Sequence, residues 1–168
     1  MESTGVKLLI LDVDGVLTDG RISPSGDAES VRWFDVHDGY AIKLWKRSGG
    51  KAAILSAREG RDVAKRAAEL GIDWVKLGVA DKLAGYEEIL ASAHCVDAAV
   101  AYVGDDLPDL GPMSRCAWPM AVADAVPEVK RAAQYVTRRA GGRGAVAEVI
   151  ELILRKQQRW SSTLLRGK

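Results

Sequence analysis

Cysteine is scarce in this chain, with two in 168 residues, Cys95 and Cys116. That is too few for a disulfide framework or for a structural zinc site built on thiolates. Neither sign of charge predominates: 24 Lys plus Arg against 23 Asp plus Glu leave a formal charge of +1. A dedicated nucleic-acid binder usually carries a basic excess, so no nucleic-acid partner is expected. Long apolar runs are missing as well. Apolar stretches such as residues 6–11 fall far short of the ~20 residues a membrane span needs, so no membrane partner is expected. The opening Met1-Glu2-Ser3-Thr4-Gly5 lacks a charged region followed by an apolar one, and no signal peptide is visible. No internal repeat or low-complexity stretch is present. The default expectation is a cytoplasmic protein.

What is present describes a soluble globular chain, 48% hydrophobic and 28% charged. At this length one domain with a real core is expected, spanning 1–168, with the core at 5–155 and a basic tail at 156–168. From Arg155 onward there are basic residues at Arg155, Lys156, Arg159, Arg166 and Lys168 and no acid, which reads as a frayed, solvated end.

Apolar runs alternate with helical periods. Short strands are expected over 6–13, 51–55, 74–77, 98–103, 120–123 and 135–137. Helices are expected over 39–47, 60–70, 81–93 and 145–158. The turn formers Ser23-Pro24-Ser25-Gly26-Asp27 sit between two short extended pieces and signal a β-hairpin within 20–34. Strands separated by helices imply an α/β fold: a doubly wound, Rossmann-like parallel sheet with helices on both faces and a hairpin inserted after the first strand.

In open sheets of this kind, functional groups gather at the carboxyl ends of the strands. The first strand ends in Asp12-Val13-Asp14-Gly15. The second gives Ser56 and Arg58, Lys82 follows the third, and the fourth runs into Gly104-Asp105-Asp106-Leu107-Pro108-Asp109. Any one of these alone is weak, since strand-terminal Asp or Ser often caps a turn and Lys82 alone reads as a solvated helix residue. Their order and placement together point to phosphoryl transfer. Asp12 and Asp105 can share a cation, and oxygen-only donors with no His or Cys nearby favour Mg²⁺. A carboxylate beside Mg²⁺ can attack phosphorus to form an aspartyl-phosphate. Asp14, two residues on, can protonate the leaving oxygen and then activate water. Ser56 and Lys82 can hold the phosphoryl oxygens.

These motifs resemble those of the haloacid dehalogenase superfamily of phosphohydrolases. The first is Leu11-Asp12-Val13-Asp14-Gly15-Val16-Leu17-Thr18-Asp19-Gly20, followed by Ser56, Lys82 and the Gly104–Asp109 run. The chain is more similar still to the 3-deoxy-D-manno-octulosonate 8-phosphate phosphatase family, through Asp38-Gly39-Tyr40-Ala41-Ile42, Ala101-Tyr102-Val103-Gly104-Asp105-Asp106-Leu107, Val122-Ala123-Asp124-Ala125, and Tyr135-Val136-Thr137-Arg138 through Gly141-Gly142-Arg143-Gly144-Ala145-Val146. The resemblance implies a Mg²⁺-dependent phosphatase with Asp12 as nucleophile and Asp14 as acid and base. The ion would be held by the Asp12 carboxylate, the Asp14 carbonyl and Asp105, with Asp106 and Asp109 orienting its surroundings. It further implies sugar-acid contacts from Asp35, His37, Asp38 and Gly39 and from Lys43, Arg58 and Arg66. The glycine-rich 141–144 stretch would approach a substrate site.

The departures fall in that substrate-reading set. The family's Asn-Val-Arg-Asp-Gly is here Asp35-Val36-His37-Asp38-Gly39, its Thr-Gly-Arg is Ser56-Ala57-Arg58, and Lys43 stands where Arg is common. A nine-carbon, neuraminate-type ulosonate 9-phosphate is therefore the alternative substrate. The interval between Asp14 and Ser56 is too short for a cap domain. The resemblance implies a homotetramer in which the hairpin, 18–34, roofs a neighbouring site, and the large apolar Trp33 and Phe34 suit such an interface. A phospho-aspartate receiver module uses similar groups. Its accepting Asp follows the third strand, whereas the nucleophile here ends the first.

Overall fold

The computed structural model describes residues 5–23 and 31–165. Six strands form one all-parallel sheet: β1 (Leu8–Leu11), β2 (Lys51–Leu55), β3 (Trp74–Lys76), β4 (Val100–Gly104), β5 (Trp118–Ala121) and β6 (Tyr135–Val136), in the order β3-β2-β1-β4-β5-β6. β1 is apolar and buried at all four positions because it is flanked by strands on both sides and covered on both faces. Each such fully buried aliphatic side chain contributes roughly 1.5–3 kcal/mol.

Seven helices complete the described fold: α1 (Val36–Arg47), α2 (Arg61–Leu70), α3 (Lys82–Ala93), α4 (Leu110–Arg115), α5 (Pro127–Ala132), α6 (Ala145–Lys156) and α7 (Trp160–Leu165). α6 and α7 pack with α1, while α4 joins α3 and α5. The expected doubly wound α/β sheet is thus observed.

Several boundaries differ from expectation. α1 starts at Val36 rather than 39, because Asp35 caps it, accepting from the N–H of His37 at 2.7 Å and of Asp38 at 3.1 Å. β5 begins at Trp118, two residues early. The short helices α4, α5 and α7 were not expected. Within the tail expected to be frayed, α7 is ordered: Thr163 is buried and the Arg155 guanidinium lies 5.3 Å from the centre of the Trp160 ring; residues 166–168 lie outside the described residues. The hairpin is not seen as paired strands, since residues 21–23 and 31–35 carry none and its turn, 24–30, lies outside the described residues.

The register matters for function. Leu11 is level with Ile54 of β2 and Val103 of β4, so the next residues along these strands emerge at one edge. The strand order reverses direction between β1 and β4, and this switch point opens a crevice at the carboxyl ends.

Candidate active site

Asp12 leaves β1 with its N–H bonded to the Val103 carbonyl at 3.1 Å. The chain then makes one wide turn, Val13–Leu17, closed by the Thr18 N–H on the Val13 carbonyl at 3.1 Å. Gly15 has φ +89° in this turn, and a Cβ there would overlap Asp105 Oδ2. Only glycine lets the first and fourth strand ends approach this closely.

Lys82 links the cluster. It opens α3, whose cap Asp81 accepts from Leu83 and Ala84 N–H at 3.0 and 3.2 Å. Its Nζ lies 2.9 Å from Asp12 Oδ1 and donates to Asp109 Oδ1 at 2.6 Å, with Asp12, Lys82 and Asp109 all buried. Burial opposes the ammonium charge, but Asp12 and Asp109 outweigh it and hold the Lys82 pKa above the ordinary lysine value. Asp109 also accepts from the Tyr102 hydroxyl at 2.7 Å and from the N–H groups of Asp105 and Asp106 at 2.9 and 3.2 Å.

Burial, then repulsion from Asp109, raises Asp12 to about 6 despite Lys82. Burial, then the charges of Asp12 and Asp109, raises Asp105 to about 8. Asp12, Asp105 and Asp109 bring carboxylate oxygens within 4.8 Å of one another, and buried Asp105 Oδ1 has no hydrogen-bond partner among the described residues. A hard divalent cation fits this set: the donors are all oxygen, their mutual repulsion calls for positive charge, and one is unsatisfied. Both Asp109 oxygens accept hydrogen bonds, whereas Asp12 meets Lys82 through Oδ1 and Asp105 Oδ1 is unsatisfied, so Asp12 and Asp105 would be the carboxylates to hold it. Asp106 is exposed and caps its own short turn, accepting from Leu107 N–H at 2.8 Å.

Asp14, Ser56, Arg58, Lys82 and Asp105 line, with Asp12, a cavity of about 380 Å³. Ser56 is buried and accepts from Arg58 N–H at 3.2 Å. Arg58 is largely exposed, with Nε 3.8 Å from Asp14 Oδ2.

The expected sugar-acid contacts divide. Arg58 lines the cavity, but Asp35, His37, Asp38, Gly39, Lys43 and Arg66 do not. Asp35 caps α1, and His37 and Lys43 face outward. Asp38 is buried and accepts from Gly144 and Ala147 N–H at 3.3 and 2.8 Å, so its carboxylate caps α6. Gly39 accommodates Arg66 Nη2 where a Cβ would sit. The Arg66 guanidinium lies 6.0 Å from the centre of the Phe34 ring and pairs with Glu69 at 3.3 Å. Phe34 packs against the core, whereas Trp33 is 78% exposed. The glycine-rich 141–144 stretch lies against the Val13–Leu17 turn: Gly142 N–H bonds the Val16 carbonyl at 2.9 Å, and Gly141 N–H bonds Asp124 at 2.9 Å.

Motif reading missed Arg32 and Asp62. Arg32 Nε donates to Asp14 Oδ1 at 2.7 Å, and Nη1 donates to Asp62 Oδ1 at 2.9 Å. Neither residue belongs to a recognisable local pattern.

A buried aspartate directly after β1, a lysine from α3 and an acidic loop after β4, at the switch point of a parallel sheet, define a haloacid dehalogenase-type phosphohydrolase site. The family model for haloacid dehalogenase-like hydrolases matches residues 75–150. The 3-deoxy-D-manno-octulosonate 8-phosphate phosphatase KdsC of Yersinia pestis is 43% identical over 157 residues, covering 94% of this chain and 84% of that protein. Its crystal structure gives a TM-score of 0.91 over 95% of this chain and 85% of that one. The Moraxella catarrhalis 3-deoxy-D-manno-octulosonate 8-phosphate phosphatase, solved with magnesium, phosphate and KDO, is 33% identical with a TM-score of 0.93, covering 99% of this chain and 95% of that one. The chain belongs to the 3-deoxy-D-manno-octulosonate 8-phosphate phosphatase family of haloacid dehalogenase-like hydrolases.

Proposed function

We propose that this protein hydrolyses 3-deoxy-D-manno-octulosonate 8-phosphate to the free sugar acid and phosphate. The carrying observation is the buried Asp12–Lys82–Asp109 array beside Asp105 with its unpartnered oxygen. Kinship with KdsC over nearly the whole chain supplies the substrate class.

Asp12 attacks phosphorus, and the bond from phosphorus to the sugar oxygen breaks as Asp14 delivers a proton to that oxygen. Water then attacks the aspartyl-phosphate while Asp14 takes its proton, and the bond from Asp12 to phosphorus breaks. Lys82 and the Ser56 hydroxyl hold the phosphoryl oxygens through both steps. Asp109 fixes Lys82, and through the Asp105 N–H it fixes the acidic loop. The Asp12 and Asp105 carboxylates, with the Asp14 carbonyl, would hold Mg²⁺, which when bound neutralises the acidic cluster and draws charge from the phosphoryl group.

Arg58 meets the substrate carboxylate from within the chain. His37, Lys43 and Arg66 lie outside the cavity, and exposed Trp33, Val36 and Tyr40 accompany them. This supports a homotetramer in which neighbouring subunits complete the sugar-acid site. No helix among the described residues is long and apolar enough to cross a membrane.

Phosphate release from eight-carbon ulosonate 8-phosphate, nine-carbon ulosonate 9-phosphates and hexose phosphates, with and without Mg²⁺, tests the reading. Preference for the eight-carbon compound is expected. Preference for a nine-carbon acid would assign the substrate to the changed set around His37, and equal weak activity on all would leave only a generic phosphatase.

A further inference from the structure

The segment entering α1 sends a buried arginine to the proton-transfer carboxylate. Arg32 is 6% exposed. Its Nε donates to Asp14 Oδ1 at 2.7 Å, while its Nη2 reaches Asp14 Oδ2 only at 3.5 Å. The far side of the guanidinium is anchored independently. Nη1 donates to Asp62 Oδ1 at 2.9 Å, Nη2 to the Glu59 carbonyl at 3.3 Å, and the Arg32 backbone N–H to Asp62 Oδ2 at 3.1 Å. Asp62 is in the first turn of α2 and also accepts from Val63 N–H at 2.9 Å.

We propose that Arg32 is a positioning residue for proton transfer, gripping Asp14 by Oδ1 and leaving Oδ2 to exchange the proton with the leaving oxygen and with water. The proposal rests on the reading of Asp14 as acid and base. A planar fork held on two edges fixes a carboxylate's orientation as well as its place. Asp14 sits on the loop after β1, where a small rotation would carry its oxygens away from the leaving group, and such misplacement is costly in rate. A latch that blocks Asp14 would have to withdraw during turnover. Arg32 is instead bound to α2 by contacts that do not involve Asp14, and Asp14 still lines the cavity while gripped. Arg58 is the opposite case. It is 60% exposed, 3.8 Å from Oδ2, and free to turn toward a substrate.

The test uses leaving groups that differ in their need for a proton. The sugar oxygen of octulosonate 8-phosphate needs one, whereas dinitrophenolate departs without. Single-turnover rates of leaving-group release isolate the first step. Arg32→Met is expected to slow sugar-acid release at least about tenfold, as loss of aimed proton transfer does, and to leave dinitrophenolate release within about twofold. Asp14→Asn should show the same selectivity, more strongly. Equal slowing of both substrates by Arg32→Met, no slowing, or faster sugar-acid release would overturn the proposal. If Asp14→Asn is unselective, the reading of Asp14 fails and the proposal with it. If Asp14→Asn is selective and Arg32→Met is not, only the role of Arg32 fails. Arg32→Lys keeps the charge without the fork and decides the matter if Arg32→Met does not fold: a smaller selective loss supports the grip, and an unselective effect overturns it.

Discussion

Asp109 Oδ1 accepts from Lys82 Nζ at 2.6 Å, and neither side chain is more than 4% exposed. The other hydrogen bonds of this carboxylate among the described residues also come from donors: the Tyr102 hydroxyl and the N–H groups of Asp105 and Asp106. An asparagine here must turn its amide donor toward a donor whichever way it is flipped. Asp109→Asn is therefore expected to destabilise the fold by about 3–5 kcal/mol, as breaking a buried ion pair does. Its turnover should fall at least about tenfold because Lys82 is no longer held. Denaturant unfolding and phosphate release measure the two effects, and a stability change below about 1 kcal/mol would contradict this account of the buried network.

Asp12 is held at a cost to the fold. Burial and Asp109 raise Asp12 to about 6, above its ordinary value of 3.8, so its ionised form is disfavoured in the folded protein. Asp12→Asn should lower turnover by at least about a thousandfold. The metal-free variant should melt no lower than the parent, because a disfavoured charge has been removed. Thermal melts with parallel assays check both, and near-parental turnover would remove Asp12 from the chemistry.

A pH dependence follows from the same pair. Asp12 at about 6 and Asp105 at about 8 both lie above the ordinary aspartate value of 3.8. The folded state therefore binds these protons more tightly than the unfolded chain. The two groups make the metal-free protein less stable as pH rises from about 4 through about 8, and favour it below that window. Mg²⁺ needs both carboxylates ionised, so its affinity should rise across the upper part of this window with release of protons. Calorimetric titration in buffers of different ionisation enthalpy measures both quantities. A dissociation constant that does not change between about pH 6 and about pH 8 would contradict the assignment of Asp12 and Asp105 as the ligating carboxylates.

The glycine-rich loop before α6 supports the catalytic turn by close approach. A Cβ on Gly141 would overlap the carbonyl of Gly15, a backbone atom that cannot rotate aside as a side chain can. Gly141→Ala should cost about 1–3 kcal/mol through overpacking and lower turnover by shifting the turn that carries Asp14. A variant with parental melting temperature and activity would show that the loop yields freely.

How much of this was legible in the sequence depended on how local the cause was. β1, β2 and β4 announce themselves because strands buried on both faces must be apolar throughout, and their ends stand out as acids or Ser56. Asp12, Asp14, Ser56, Lys82 and Asp105 could be gathered because the parallel sheet brings strand ends to one edge. α4 and α5 escaped notice because each is only six residues long and contains a proline, which reads as a breaker. Asp38 enters as a substrate contact through the family resemblance, and its capping of α6 is hidden from sequence because its partners, Gly144 and Ala147, lie 106 and 109 residues away. Arg32 carried no signal at all, since Asp14 and Asp62 are 18 and 30 residues distant and only the fold brings them together.

The most direct measurement is a rapid acid quench during turnover of sugar-acid phosphate labelled at phosphorus, followed by borohydride reduction and mapping of the modified residue. The account predicts transient label on the protein, carried as an acyl phosphate, with reduction confined to Asp12. Phosphate released in the first turnover with no label passing through the protein, or label at any residue other than Asp12, would contradict it.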